Sequence, residues 1–126
     1  MPLPVSQYQI PLYAAGQATG TLSDLRKYAQ ALFPDEKGFS CLFAKKKTLK
    51  EMYTATSTIE GDVQWHHGFY SKNSFGSNIV GHEGATASCR AALFIDIDNG
   101  VGVVFMINGI RDEAIDEILA LIFEEN

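Results

Sequence analysis

Apolar residues recur at helical spacing near both ends of this chain and form near-continuous runs between them, and that contrast predicts the order of its elements. Leu22, Leu25, Ala29, Leu32 and Phe33 make one stripe behind Thr21 and Asp24, which have the spacing of a capping box, and Pro34 stops it. A helix over 21–33 is predicted. Thr48 and Glu51 repeat the capping form around Leu49, Met52 and Tyr53, which predicts a second helix of about two turns. It ends near Thr54, because the β-branched and hydroxyl residues from Thr54 to Thr58 favour extended chain. Ala114, Ile115, Ile118, Leu119, Leu121 and Ile122 give a third helical stripe, after Asp112 and Glu113 at its positive end.

Between the helices the pattern changes to strand. Val63 to Tyr70 predicts one strand, with Trp65, His67 and Phe69 on one face and Gln64, His66 and Tyr70 on the other; Gly68 marks a bulge or close approach. Lys72 to Gly81 is a Ser, Asn and Gly-rich turn leading into Ile79, Val80 and the next strand. Ala87 to Ile97 and Val101 to Asn108 are apolar at almost every position and are joined through Asp98-Asn99-Gly100, so they predict an antiparallel hairpin covered on both faces. The first twenty residues hold three prolines, Gly16 and Gly20 and no sustained period, and are expected to run as an extended arm. Tyr8, Ile10, Leu12 and Tyr13 require that arm to pack on a surface. The expectation is one α+β domain over 1–126: a three-stranded antiparallel sheet packed with an N-terminal helix, a short helix and a C-terminal helix.

Composition narrows the function classes. At 46% hydrophobic and 20% charged residues, the chain matches folded globular proteins and not disordered ones. A net charge of −5, with Lys45-Lys46-Lys47 as the only basic run, argues against a nucleic-acid partner, which needs a broad cationic face. No apolar run reaches the ~20 residues of a membrane span, and Met1-Pro2-Leu3-Pro4 has no signal-peptide pattern, so the sequence leaves the compartment open. Cys41 and Cys89 form no CxxC pair and are expected as buried free thiols, with no disulfide framework.

Candidate chemistry centres on three histidines. His66 and His67 are adjacent in an expected strand, which sends them to opposite faces and argues against a shared metal; either could line a cleft beside His82. His82-Glu83-Gly84 is not HExxH, so no zincin site is expected, and no metal or other cofactor is implied. Tyr13, Ser23, Ser40 and Ser88 have no base at a diagnostic offset, and Ser71-Lys72-Asn73 fits Ser-x-Asn only formally. Spacing alone nominates no nucleophile.

Ala14-Ala15-Gly16 followed by Thr21 to Leu32, then Thr48 to Met52, Trp65 to Tyr70, Gly81-His82-Glu83-Gly84-Ala85-Thr86, and Ala91 to Asn108 with its Asn-Gly turn form an ordered set. In that order they resemble the C-terminal half of the serine β-lactamase and penicillin-binding-protein superfamily, in its class C β-lactamase, D-alanyl-D-alanine carboxypeptidase and esterase branch. The resemblance covers nearly the whole chain. It implies a serine hydrolase acting on amide or ester bonds through an acyl-enzyme, and casts Gly81 to Thr86 as the family's His-x-Gly or Lys-Thr-Gly element. His82 would face the substrate carboxylate or leaving group, Gly84 would allow close approach, and the Ala85 amide would be an oxyanion donor. The family's Ser-x-x-Lys, which supplies nucleophile and base, occurs nowhere in the sequence. Ser71-Lys72-Asn73 stands too close to His82 to be its second motif. The chain is therefore expected to carry no catalytic residue and to be silent alone, with a β-lactam, peptide or ester substrate bound only by the complete fold. In the family two N-terminal strands cover the last strand of the sheet. Without them Val101 to Asn108 is an apolar edge, which predicts either a homo-oligomer or recruitment of the missing N-terminal half. The alternative is a non-catalytic binding or assembly module. Family members are often exported or periplasmic, and the resemblance carries that expectation for the parent protein.

Overall fold

The computed structural model describes residues 13–16, 18–58, 61, 63–72, 79–86, 88–109 and 113–123. Tyr8, Ile10, Leu12, Ala87 and Asp112 lie outside them. The elements are α1 (Tyr13–Gly16), α2 (Leu22–Ala31), α3 (Lys46–Met52), β1 (Ser57–Thr58), β2 (Val63–Trp65), β3 (Tyr70–Lys72), β4 (Ile79–Ala85), β5 (Cys89–Asp96), β6 (Val101–Asn108) and α4 (Ala114–Phe123). The fold is α+β, but the expected three-stranded sheet is overturned: six antiparallel strands lie in sequence order from β1 to β6.

The largest departure is in the expected strand from Val63 to Tyr70, which is a hairpin. Gly68 takes φ +90°, a conformation that glycine adopts without steric penalty, and the His66 amide donates to the Phe69 carbonyl at 2.9 Å. The reversal pairs Trp65 with Tyr70 and Gln64 with Ser71. Trp65 and Phe69, expected on one face, consequently pack in different cores. Thr58 pairs with Gln64 to add β1, and β4 runs from Ile79 to Ala85, so Ile79 to Gly81 belong to a strand and not to the end of the expected turn.

Both faces of the sheet are covered. Ala29 and Leu32 of α2 pack with Phe69, Val80, Leu93 and Ile95 on one side, and Ile115 and Leu119 of α4 pack with Tyr70, Ile79, Ala92 and Phe94 on the other. Residue parity along β4 and β5 sorts these sets, as successive side chains point to opposite faces. Helix α2 starts on the expected capping box: Thr21 Oγ accepts from the Asp24 amide at 3.1 Å, and the Asp24 carboxylate accepts from the Thr21 hydroxyl at 2.7 Å. The carbonyls at its far end are met from later chain, Ala31 by the Ser40 hydroxyl at 2.6 Å and Leu32 by the Tyr53 hydroxyl at 2.5 Å. Burial holds the Tyr53 hydroxyl protonated well above the usual phenol range, with Tyr28 adding to the effect, so it stays a donor.

Three smaller expectations are also corrected. Helix α3 begins at Lys46 behind Lys45, with no side-chain cap, so Thr48 lies within the first turn and its capping box does not form. Cys41 is exposed and Cys89 half-buried, both free, because Cys41 sits in the loop outside the core. Residues 13–16, expected within the extended arm, form one helical turn.

Two positions fix β4 and β5 in place. A side chain at Gly81 would collide with the Leu93 carbonyl and the Phe94 ring, so only glycine lets that ring cross β4. At the other end of β5, the Asp96 carboxylate accepts from the amides of Asp98 and Asn99 at 3.1 and 3.0 Å and from the Asn99 side chain at 2.7 Å, fixing the turn in which Gly100 takes φ +68°. Burial alone would raise the pKa of Asp96, but the hydrogen bonds from Asn99 and Asp98 outweigh it and hold it below 3.8.

Gly81→Ala is expected to lower unfolding stability by about 3 kcal/mol, read by denaturant titration. Because the folded-state pKa of Asp96 is depressed, its contribution is complete above the ordinary value of 3.8 and is lost as pH falls through the folded value. Asp96→Ala should therefore cost about 2 kcal/mol at neutral pH and flatten the acid limb of melting temperature against pH.

Candidate functional site

The hairpin of β2 and β3 is shorter than the strand beside it, and this exposes part of β4. Only Ser71 and Tyr70 of β3 pair with β4, opposite Val80 and Gly81. From His82 onward β4 continues past the hairpin tip, paired with β5 through Ala85 and Arg90. Among the described residues no strand pairs with its other side there. His82, Gly84 and Ala85 are exposed and Glu83 is half-buried.

The ladder fixes which backbone groups face that open side. The Thr86 amide donates to the Cys89 carbonyl at 3.0 Å, so this is a hydrogen-bonded pair. Bonded and non-bonded pairs alternate along an antiparallel ladder, and the register from Ala85 back to Ile79 is unbroken. His82 and Gly84 therefore exchange their bonds with β5, while Glu83 and Ala85 direct their amides and carbonyls outward. The same alternation from the His66 to Phe69 bond turns Tyr70 toward Gly81, in agreement. The far end of this edge is held by Arg90, which donates to the carbonyls of Thr86 at 2.6 Å and Cys89 at 3.0 Å, and by the Thr86 hydroxyl, which accepts from the Cys89 amide at 3.2 Å.

His82 lies on this edge. Its Nδ1 is 2.6 Å from the carbonyl of Glu83. A carbonyl only accepts, so Nδ1 carries the hydrogen and, in the neutral ring, Nε2 presents a lone pair. Ring centroids place His82 5.6 Å from Tyr70 and 6.4 Å from Trp65, and those two rings lie 5.5 Å apart, edge to face. The Tyr70 hydroxyl and the Trp65 Nε1 are buried without a hydrogen-bond partner. Burial first, and then the nearby Glu83 carboxylate, push the Tyr70 pKa upward, so the phenol keeps its proton. Lys72 Nζ sits 2.9 Å from Asp116 on α4 and 4.0 Å from Glu83, drawing the Glu83 side chain to the α4 face while its backbone faces the edge.

The other histidines are elsewhere. His66 is buried, with Nδ1 donating to the Tyr53 carbonyl at 2.8 Å, which leaves Nε2 to accept from the Ser71 hydroxyl at 3.0 Å. This serine-histidine pair escaped the sequence reading because His66 was placed within a continuous strand from Val63 to Tyr70 and Ser71 beyond its end; taking Gly68 as a hairpin turn would have brought them together. Ser71 is 0% exposed, so its hydroxyl ties the hairpin to the end of α3 and cannot reach a substrate. His67, at the hairpin tip, lines a shallow cleft of about 350 Å³ with Phe43, Thr48, Glu51 and Met52. Among the described residues no three His, Cys, Asp or Glu side chains gather as metal ligands would, and no helix is long and apolar enough to cross a membrane.

No family model, curated protein or solved structure matches the chain.

A Cβ added at Gly84 meets nothing within 4 Å, so the space beside it is open. Gly84→Val is expected to change unfolding stability by no more than about 0.5 kcal/mol, in contrast to Gly81→Ala, while placing a branched side chain beside the edge.

Proposed function

We propose that this chain is the C-terminal, substrate-facing wall of a serine hydrolase of the β-lactamase and penicillin-binding-protein type, silent until a segment bearing the nucleophile and its base is placed against it. The observation that carries the reading is the open stretch of β4, where the amides of Glu83 and Ala85 point outward beside His82. Outward amides two residues apart on one strand lie about 6.8 Å from each other and cannot meet a single oxygen, so the strand offers one oxyanion donor and the second comes with the nucleophile. In this reading His82 and Gly84 flank the substrate and Ala85 supplies a donor. The attacking group comes from outside: Ser71 is sealed against His66, Ser40 is committed to Ala31, and the sequence has no Ser-x-x-Lys. The substrate class is an amide or ester, including β-lactams.

A second reading, a non-catalytic assembly module, draws on the opposite edge of the sheet. Among the described residues strand β6 pairs only with β5, and its eight residues from Val101 to Asn108 carry no charge, no proline and an exposed Met106, a composition that favours pairing with another strand. In this reading a second copy of the chain pairs along that edge.

Purified chain is expected to turn over neither nitrocefin nor a p-nitrophenyl ester above the buffer rate. Turnover abolished by Ser40→Ala or Ser71→Ala would overturn the wall reading. Sedimentation velocity should reveal concentration-dependent self-association that Met106→Lys weakens; a monomer at every concentration would remove β6 as an assembly edge.

A further inference from the structure

The sequence contains two Asn-Gly steps, Asn99-Gly100 and Asn108-Gly109, and the fold restrains them differently. An asparagine followed by glycine is chemically fragile, because a backbone nitrogen with no Cβ beside it reaches the asparagine side chain unhindered. At Asn108 the fold opposes that approach. Asn108 is paired with Cys89 in the ladder, and the Gly109 amide donates to the Ser88 carbonyl at 2.8 Å, so its nitrogen is engaged elsewhere. At Asn99 the nitrogen is available: both residues are exposed, neither lies in a strand, and among the described residues the Gly100 amide meets no acceptor. The restraint there acts on the side chain instead. The Asp96 carboxylate accepts from Asn99 Nδ2 at 2.7 Å and from the Asn99 amide at 3.0 Å, which commits the carboxamide to Asp96.

We propose that Asn99 is a site of spontaneous deamidation whose rate is set by the Asp96 carboxylate. The Gly100 nitrogen attacks Asn99 Cγ; an N–Cγ bond forms, the Cγ–Nδ2 bond breaks, and ammonia leaves with the proton that the glycine nitrogen gives up. Water then opens the cyclic imide. Entry at Cγ leaves an aspartate, and entry at the backbone carbonyl leaves an isoaspartate, whose chain continues through the former side chain. Either product removes the Nδ2 donor and adds a negative charge beside Asp96, so a contact that held the turn becomes a repulsion. The turn joins β5 to β6 at the pair of Asp96 and Val101, and β6 loosens from that end. A hydrogen bond to a charged group that must break before the attack slows it by roughly tenfold or more.

The test follows the full chain in neutral buffer by peptide-mapping mass spectrometry, which reads amide-to-acid conversion at each asparagine, with isoaspartate assayed separately. Asn99 should convert while Asn108 stays intact. Asp96→Ala should speed conversion at Asn99 by roughly tenfold or more and leave Asn108 unchanged. Because that variant also weakens the fold, Asn108 is its internal control: acceleration of both sites alike reports general opening and overturns the role given to Asp96. Conversion at Asn108 as fast as at Asn99, an Asn99 rate indifferent to Asp96→Ala, or an Asn99 that converts in neither chain overturns the proposal. Asn99→Asp, which supplies the product without the chemistry, should melt below the wild-type chain; an unchanged melting temperature overturns the loosening of β6.

Discussion

The turn at His67 and Gly68 decides where the sheet ends on one side, and the exposed part of β4 exists because that turn comes early. Gly68 reverses the chain at φ +90°, and buried His66 locks the reversal by bonding forward to Ser71 and across to Tyr53 at the end of α3. The lock is fully satisfied, with one ring nitrogen donating and the other accepting, so it holds without leaving a buried polar group unmet. Two more residues on each arm of the hairpin would cover His82 and Glu83 with backbone. The candidate site is thus a product of hairpin length, and its geometry depends on a histidine within that hairpin.

The open stretches of β6 and β4 differ in kind. At β6 the whole length of one side has no strand partner among the described residues, and Val103, Val104 and Phe105 pack into cores on its two faces. At β4 only the last residues are free, and they carry a histidine that has folded back on its own backbone. The first is long and apolar. The second is short and flanked by the rings of Tyr70 and Trp65.

Helical periodicity placed all three long or short helices within a few residues, since the stripes at Leu22 to Phe33, Leu49 to Tyr53 and Ala114 to Ile122 each face a core. The Asn99-Gly100 turn was legible for the same local reason. The strand count was not, because Val63 to Tyr70 alternates as well through a hairpin as along a strand; only the sign of φ at Gly68 separates the two, and a bulge needs glycine too. Around His82 the sequence indicated the tripeptide but not its company. Trp65 and Tyr70 reach it only after the hairpin folds them onto the α4 face, and the parity that turns Glu83 and Ala85 outward depends on a register set at Thr86 and Cys89. The capping form at Thr48 misled because three lysines ahead of it could start the helix earlier.

Trp65 is the single tryptophan of the chain, and its indole nitrogen is sealed from solvent and meets no acceptor. The rest of its ring is half-buried, and the His82 imidazole lies 6.4 Å away between centroids. Anything that settles along the neighbouring backbone, or lifts the imidazole away from it, changes the surroundings of the one tryptophan in the chain. The protein therefore carries an intrinsic optical reporter beside the open stretch of β4, with no attached dye.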